Sequence, residues 1–277
     1  MAEHGFLRSE AVGHYASGYE ATRLFGSAQG ELERVRSQEI IARHLPLPPA
    51  RILDVGGAGG VYSLWLLDRG YEVGLIDALA LHVEMAHRAF DKHPRKRFAA
   101  AAVGDARELH EPDASVHGVL LMGPLYHLVE RADRLQALRE AYRVLCSGGV
   151  VFAAVISRYA SLLDGLSRNL VDDPAFCPIL AGDLATGRHE NPTNHPEYFT
   201  TAFFHRPDEL SEEIREAGFS LEVLAGVEGP AWLLPNLAER LSDAAKRDQL
   251  LDLLRQVESE PALVGASAHL LAVGRKS

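Results

Sequence analysis

Apolar and polar positions alternate along this chain between two periods. Arg51-Ile52-Leu53-Asp54-Val55 is a short apolar run that reads as a buried strand, and glycines follow at 56, 57, 59 and 60. Val61 to Leu67 then reads as a helix with Gly70 as its stop. Strand-like runs recur at Tyr71–Asp77, before Val103, at Val116–Met122, at Gly149–Ile156, at Phe219–Val227 and at Ala268–Gly274. Between Val116–Met122 and Gly149–Ile156, Leu135, Leu138, Tyr142 and Leu145 recur at helical spacing. The alternation predicts an α/β domain.

The flanks read differently. Residues 1–50 are mostly helical in pattern and end in the linker Leu45-Pro46-Leu47-Pro48-Pro49, while 51–277 form the core. Residues 157–204 are long for a connection, where two to six residues are usual, which marks them as a functional insertion. Pro174, Pro178, Pro192 and Pro196 predict short helical pieces and loops there. His205-Arg206-Pro207-Asp208-Glu209-Leu210 opens a helix with an acidic first turn, which Gly218 closes. Leu-rich helices within 231–262 form a second cap insertion before the last strand, bringing Glu228 and Trp232 toward a pocket.

Composition narrows the classes. The 277 residues are 47% hydrophobic, which fits one globular α/β domain with additions. A formal net charge of -10 excludes nucleic acid as the expected substrate, and the densest basic cluster, Arg95-Lys96-Arg97, reads as a solvated loop. Two cysteines, Cys146 and Cys177, form neither a disulfide framework nor a C-x-x-C motif. No apolar run approaches the ~20 residues that span a bilayer, so a cytoplasmic protein without membrane partners, a monomer or homodimer, is expected.

Chemistry concentrates in the glycine turn. Glycines between a strand and a helix permit a sharp turn and let a ligand approach bare backbone. A dinucleotide site requires G-x-G-x-x-G, but from Gly57 the third glycine position holds Tyr62, which weakens a nicotinamide reading. The stretch instead resembles motif I of class I S-adenosylmethionine-dependent methyltransferases, an acid followed by x-G-x-G-x-G, met by Asp54, Gly56, Ala58 and Gly60 with Gly57 beside them. The resemblance covers residues 51–156 and implies a Rossmann-like, doubly wound, seven-stranded sheet, mostly parallel with an antiparallel last strand, plus a helical substrate cap. It implies S-adenosylmethionine as cofactor. By the same resemblance Asp77, with Ala78, ends the second strand and holds the ribose hydroxyls. Asp105 and Ala106 form the adenine turn, and Met122 and Gly123 begin the loop where methyl and acceptor meet. An N-terminal helix covers the cofactor, with Tyr15, Tyr19 and Arg23 as its contacts; a plain amphipathic helix with a Glu20–Arg23 pair remains the alternative.

A sulfonium methyl is already electrophilic, so the protein's tasks are orientation, worth roughly 7 kcal/mol or more in well-oriented systems, and proton removal. No metal is demanded. His127, after the fourth strand at the cleft mouth, is the first choice of base, and Tyr126 and His205 are second choices. Among the 13 histidines, His82, His87 and His93 read as helix-surface residues, and His189-Glu190 lacks the spacing of a zinc site. Arg158, Asn194, His195, Phe203 and Trp232 are the substrate-binding candidates, drawn from the aromatic and polar residues of the two insertions. These readings converge on methyl transfer to carbon, nitrogen or oxygen of a small organic acceptor, a specialised metabolite. A nicotinamide-dependent oxidoreductase and a non-catalytic cofactor-binding protein of the same fold are the alternatives.

Overall fold

The computed structural model describes residues 24–193 and 195–277. Helix α1 (Ala28–His44) starts at Ser27, whose side chain accepts the N–H of Gly30 at 3.0 Å, supplying one of the partners that a helix start lacks. The first half of the sheet is built from β1 (Arg51–Val55), α2 (Val61–Asp68), β2 (Glu72–Asp77), α3 (Ala80–Asp91) and β3 (Ala99–Val103). The chain then crosses to β4 (Val116–Leu121), the short α4 (Pro124–His127), α5 (Arg131–Val144) and β5 (Leu145–Ser157). Helices α6 (Ala160–Ser167) and α7 (Phe176–Thr186) and strands β6 (Arg188–His189) and β7 (Ala202–His205) follow. The remainder is α8 (Pro207–Glu216), β8 (Ser220–Gly226), α9 (Leu237–Ser242), α10 (Ala244–Val257), α11 (Pro261–Val264) and β9 (His269–Arg275).

Strands β3-β2-β1-β4-β5 lie side by side in parallel, with β9 antiparallel on β5 and β8 outermost. The two-residue period of the strands divides the core. Leu53, Val55, Val119, Leu121 and Val151 meet Leu138, Ala141 and Ile214 on one face. Ile52, Leu120 and Phe152 meet Ile40, Leu66 and Leu67 on the other. Because β2 and β4 flank β1 on opposite sides, the strand order reverses at β1, and a crevice opens beyond the C-terminal ends of β1 and β4.

The expected seven strands are present, and the sheet carries two more. Strand β7 pairs with the last two residues of β5, Ile156 with Phe204 and Ser157 with His205, and the two-residue β6 pairs with β7. His205 therefore ends a strand, and the acidic helix begins two residues later at Pro207. The second insertion packs Ala231, Leu237, Leu241, Leu250, Leu251 and Leu254 against Leu32 of α1. Among the described residues no helix is long and apolar enough to cross a membrane.

Candidate active site

Four positions of the turn after β1 serve different ends. Gly56 sits at φ +74°, its N–H reaches the Ile76 carbonyl at 2.7 Å, and a Cβ there would fall 2.6 Å from Cδ of Pro124. At Gly57 a Cβ would meet Leu75 at 2.7 Å and the Asp54 carboxylate at 2.8 Å, so this glycine permits packing onto the sheet beneath. Ala58, in the motif's middle position, adopts φ +46° and its N–H is tied to Asp77 Oδ2 at 2.9 Å. Left-handed backbone costs an L-residue about 1–2 kcal/mol, which the bond to Asp77 helps to offset. Gly60, at φ +85°, opens α2.

Three carboxylates approach this turn in distinct states. Asp54 is wholly buried beneath it; Oδ2 accepts from Ser63 at 2.7 Å, and Oδ1 has no hydrogen-bond partner. Burial, with a smaller contribution from the Asp77 charge, pushes the Asp54 carboxyl up to about 6. Asp77 ends β2 on the cleft wall. Its Oδ1 accepts from Leu79 N–H at 2.9 Å and lies 3.0 Å from His82 Nδ1, while Oδ2 accepts from Ala58. An ionised carboxylate has about four acceptor positions, and here three are filled, which leaves room for one hydroxyl rather than for both of a ribose. Asp105 also lines the cleft, but Arg107 clasps both its oxygens through Nε and Nη2 at 2.7–3.2 Å, and the Arg107 N–H adds 2.9 Å to Oδ1. Its capacity for an adenine amino group is correspondingly small.

The facing wall comes from the loop after β4. Gly123, Pro124, Tyr126, His127 and Leu128 line the cleft opposite Ala78 and Ala106, around a cavity of about 100 Å³ that opens to solvent. His127 is half-buried, with its ring edge-on to Tyr126 at 4.5 Å. Arg134 fixes the loop from below: Nη1 donates to the Leu128 carbonyl at 2.9 Å and the Val129 carbonyl at 2.8 Å, and Nε and Nη2 bond the Glu213 carboxylate. Both charged side chains are buried, so the pair is costly to break from either side.

Several expected site residues lie elsewhere. His205 is fully buried and does not line the cleft; Nε2 is 3.4 Å from Glu213, Nδ1 has no partner, and burial holds its pKa below the ordinary histidine value. Arg158 points inward, with Nε donating to the Phe204 carbonyl at 2.8 Å and Nη2 to Glu209 at 2.8 and 2.9 Å. Phe203 lies between two guanidinium groups, 3.8 Å from Arg134 and 5.6 Å from Arg158. Trp232 is buried with Nε1 bonded to the Ala266 carbonyl at 3.0 Å, while His195 is exposed and stacks on Tyr198 at 4.5 Å. Met122 packs against the apolar core. Tyr15, Tyr19, Arg23 and Asn194 lie outside the described residues.

Conversely, His82 is no surface residue: it is 6% exposed, lines the cleft and faces Asp77. Glu33, Glu228 and His269 bring three groups of metal-ligating type within 4.8 Å of one another. Glu228 there accepts from Ser267 at 2.7 Å and the His269 N–H at 3.0 Å, and pairs with His269 Nδ1 at 2.6 Å, so it braces the start of β9.

Comparison with known proteins agrees with this geometry. A protein-family model for a methyltransferase domain matches residues 52–149. An uncharacterized methyltransferase of Mycobacterium tuberculosis is 33% identical over 128 residues, 45% of this chain and 49% of the relative, so the chain spans about half the length of that relative. A ubiquinone biosynthesis O-methyltransferase of Xylella fastidiosa is 26% identical over 201 residues, 70% of each chain. The crystal structure of a SAM-dependent methyltransferase from Methanosarcina mazei matches with a TM-score of 0.58 at 19% identity, over 86% of this chain and 96% of that one. At such identity the likeness establishes the fold.

Proposed function

Since the chain carries a methyltransferase domain on the class I S-adenosylmethionine-dependent methyltransferase fold, we propose that it transfers a methyl group from S-adenosylmethionine to carbon, nitrogen or oxygen of a small organic acceptor, a specialised metabolite. One observation carries this reading: Asp77 stands at the strand-order reversal with an acceptor position still open, facing a turn whose Gly56 has no room for a side chain. The unpartnered Oδ1 of Asp54 beneath the same turn also suits a cationic ligand, because a nearby positive charge favours the ionised carboxylate.

When bound, the cofactor supplies an electrophilic methyl on a sulfonium that departs as a neutral thioether. The chain does the rest. Gly56 and Ala58 give close backbone approach, and Asp77 orients the ribose. The loop from Gly123 to Leu128, held by Arg134, forms the wall across from them. His127 receives the acceptor's proton where the acceptor carries one, since an imidazole titrates near working pH, and Tyr126 packs its ring. A net charge of -10 favours a small acceptor over a nucleic acid.

Calorimetric titration with S-adenosylmethionine, S-adenosylhomocysteine and NAD tests the cofactor. Binding of the first two is expected, and binding of NAD alone overturns the reading. Replacing His127 with Ala is expected to lower turnover about a hundredfold, within the usual range for general-base catalysis, with cofactor affinity within twofold of wild type. Unchanged turnover removes His127 from that role.

A further inference from the structure

We infer that His82 is a positioning residue for the cofactor: its imidazole holds the Asp77 carboxylate so that Oδ2 is the oxygen that receives a ribose hydroxyl. This rests on the reading of the cleft as an S-adenosylmethionine site.

His82 lies in the first turn of α3, five residues after Asp77, where the helix folds back over the end of β2. It is 6% exposed and forms part of the cleft wall. An ionised carboxylate only accepts, so the 3.0 Å contact between His82 Nδ1 and Asp77 Oδ1 is a donation from the ring. The Leu79 N–H donates to the same oxygen at 2.9 Å. Two donors fill Oδ1. On Oδ2 the Ala58 N–H takes one position at 2.9 Å and leaves the other open. The direction in which Asp77 can accept from a ligand is thus set by two backbone donors, which the fold supplies in any case, and by one side chain. Without His82 the carboxylate regains a second open position on Oδ1 and its orientation is no longer unique. The contact also places an imidazole beside the acid that reads the ribose.

The test is titration of S-adenosylhomocysteine into wild type, His82→Ala, His82→Asn and His82→Gln, with circular dichroism to check folding. The Asn amide nitrogen stands at the same bond count from Cα as Nδ1, and that of Gln matches Nε2. His82→Ala and His82→Gln are expected to bind about tenfold more weakly and His82→Asn within about twofold of wild type. A second readout compares adenosine with its 2′-deoxy and 3′-deoxy analogues. Wild type and His82→Asn should discriminate against the analogue lacking the hydroxyl that Asp77 receives, and His82→Ala and His82→Gln should discriminate less. If His82→Ala does not fold, the Asn and Gln variants decide between them. Equal binding by all variants, or a folded His82→Asn as weak as His82→Gln, overturns the inference and leaves the cofactor site standing. A wild-type chain that binds none of these ligands overturns both.

Discussion

The cleft at the β1–β4 reversal and the cap between β5 and α8 are both rich in polar side chains, and they treat them in opposite ways. At the cleft, Asp77 keeps an acceptor position open, and Asp54, buried beneath the glycine turn, keeps an oxygen without a partner. In the cap, the buried Nδ1 of His205 aside, polar groups satisfy one another. Asp183 accepts from Ser161 at 2.6 Å and pairs with His189 Nδ1 at 2.9 Å, His189 Nε2 meets the Tyr198 carbonyl at 2.6 Å, and Asn191 donates to the His195 and Phe199 carbonyls. An unsatisfied buried polar group costs about 1–3 kcal/mol, a cost that a ligand completing it relieves. The difference separates groups awaiting a partner from groups that build a scaffold, even where the residue types are the same.

The comparison breaks most visibly at Asp77. Hydrogen bonds to a charged group contribute about 1.5–3 kcal/mol, so Asp77→Asn is expected to weaken S-adenosylhomocysteine binding by roughly 10- to 150-fold in calorimetry. A loss below threefold would mean that the cleft, like the cap, is self-sufficient. The converse test is Gly187→Ala, at φ +78°, where a Cβ would fall 2.4 Å from Arg158 Nη2 and 2.5 Å from the Phe204 carbonyl. Overpacking and a left-handed backbone together should cost about 2–4 kcal/mol in urea unfolding. Cofactor affinity should stay within twofold.

Asp54 gives a pH test. With its folded pKa pushed up to about 6 from 3.8, the native state binds this proton more tightly than the unfolded chain does. Its contribution to stability is therefore fully present below about 4, declines as pH rises between about 4 and 6, and is lost above that. Binding of a cationic cofactor should change in the opposite sense, strengthening as pH rises through 6, and Asp54→Asn should flatten that rise. The smallest effect belongs to His195→Ala, an exposed cap residue, expected within about 0.5 kcal/mol of wild type by thermal unfolding and silent in cofactor binding.

What the sequence made legible follows the same division. Gly56, Ala58 and Asp77 sit at strand ends whose apolar runs announce them, and β1, β2 and their turns are consecutive, so local pattern was enough. In sequence Arg158 looks like a ligand-binding cation because its partner Glu209 lies 51 residues away, and Phe203 looks like a pocket wall because both arginines that flank it come from other elements. Trp232 looks the same in sequence, because its carbonyl partner is 34 residues on. His82 failed for a different reason. His82, Val83, Ala86 and Phe90 make up the buried stripe of α3, so His82 shares the spacing of its apolar neighbours, but only the fold of the first turn over Asp77 reveals what it touches.

The junction of cap and sheet has a consequence for how this protein can be altered. The Arg158 N–H donates to the His205 carbonyl at 2.7 Å, next to the two-residue pairing of β5 with β7, so the segment between them leaves and re-enters the sheet through a single doorway. A stretch whose ends already touch can be cut out and replaced by another of different length without pulling the sheet apart, as exchange succeeds where termini lie close together. Grafting a foreign segment between 158 and 205 should thereby leave the sheet folded, provided that Glu209 remains to receive the Arg158 guanidinium at the hinge of the graft.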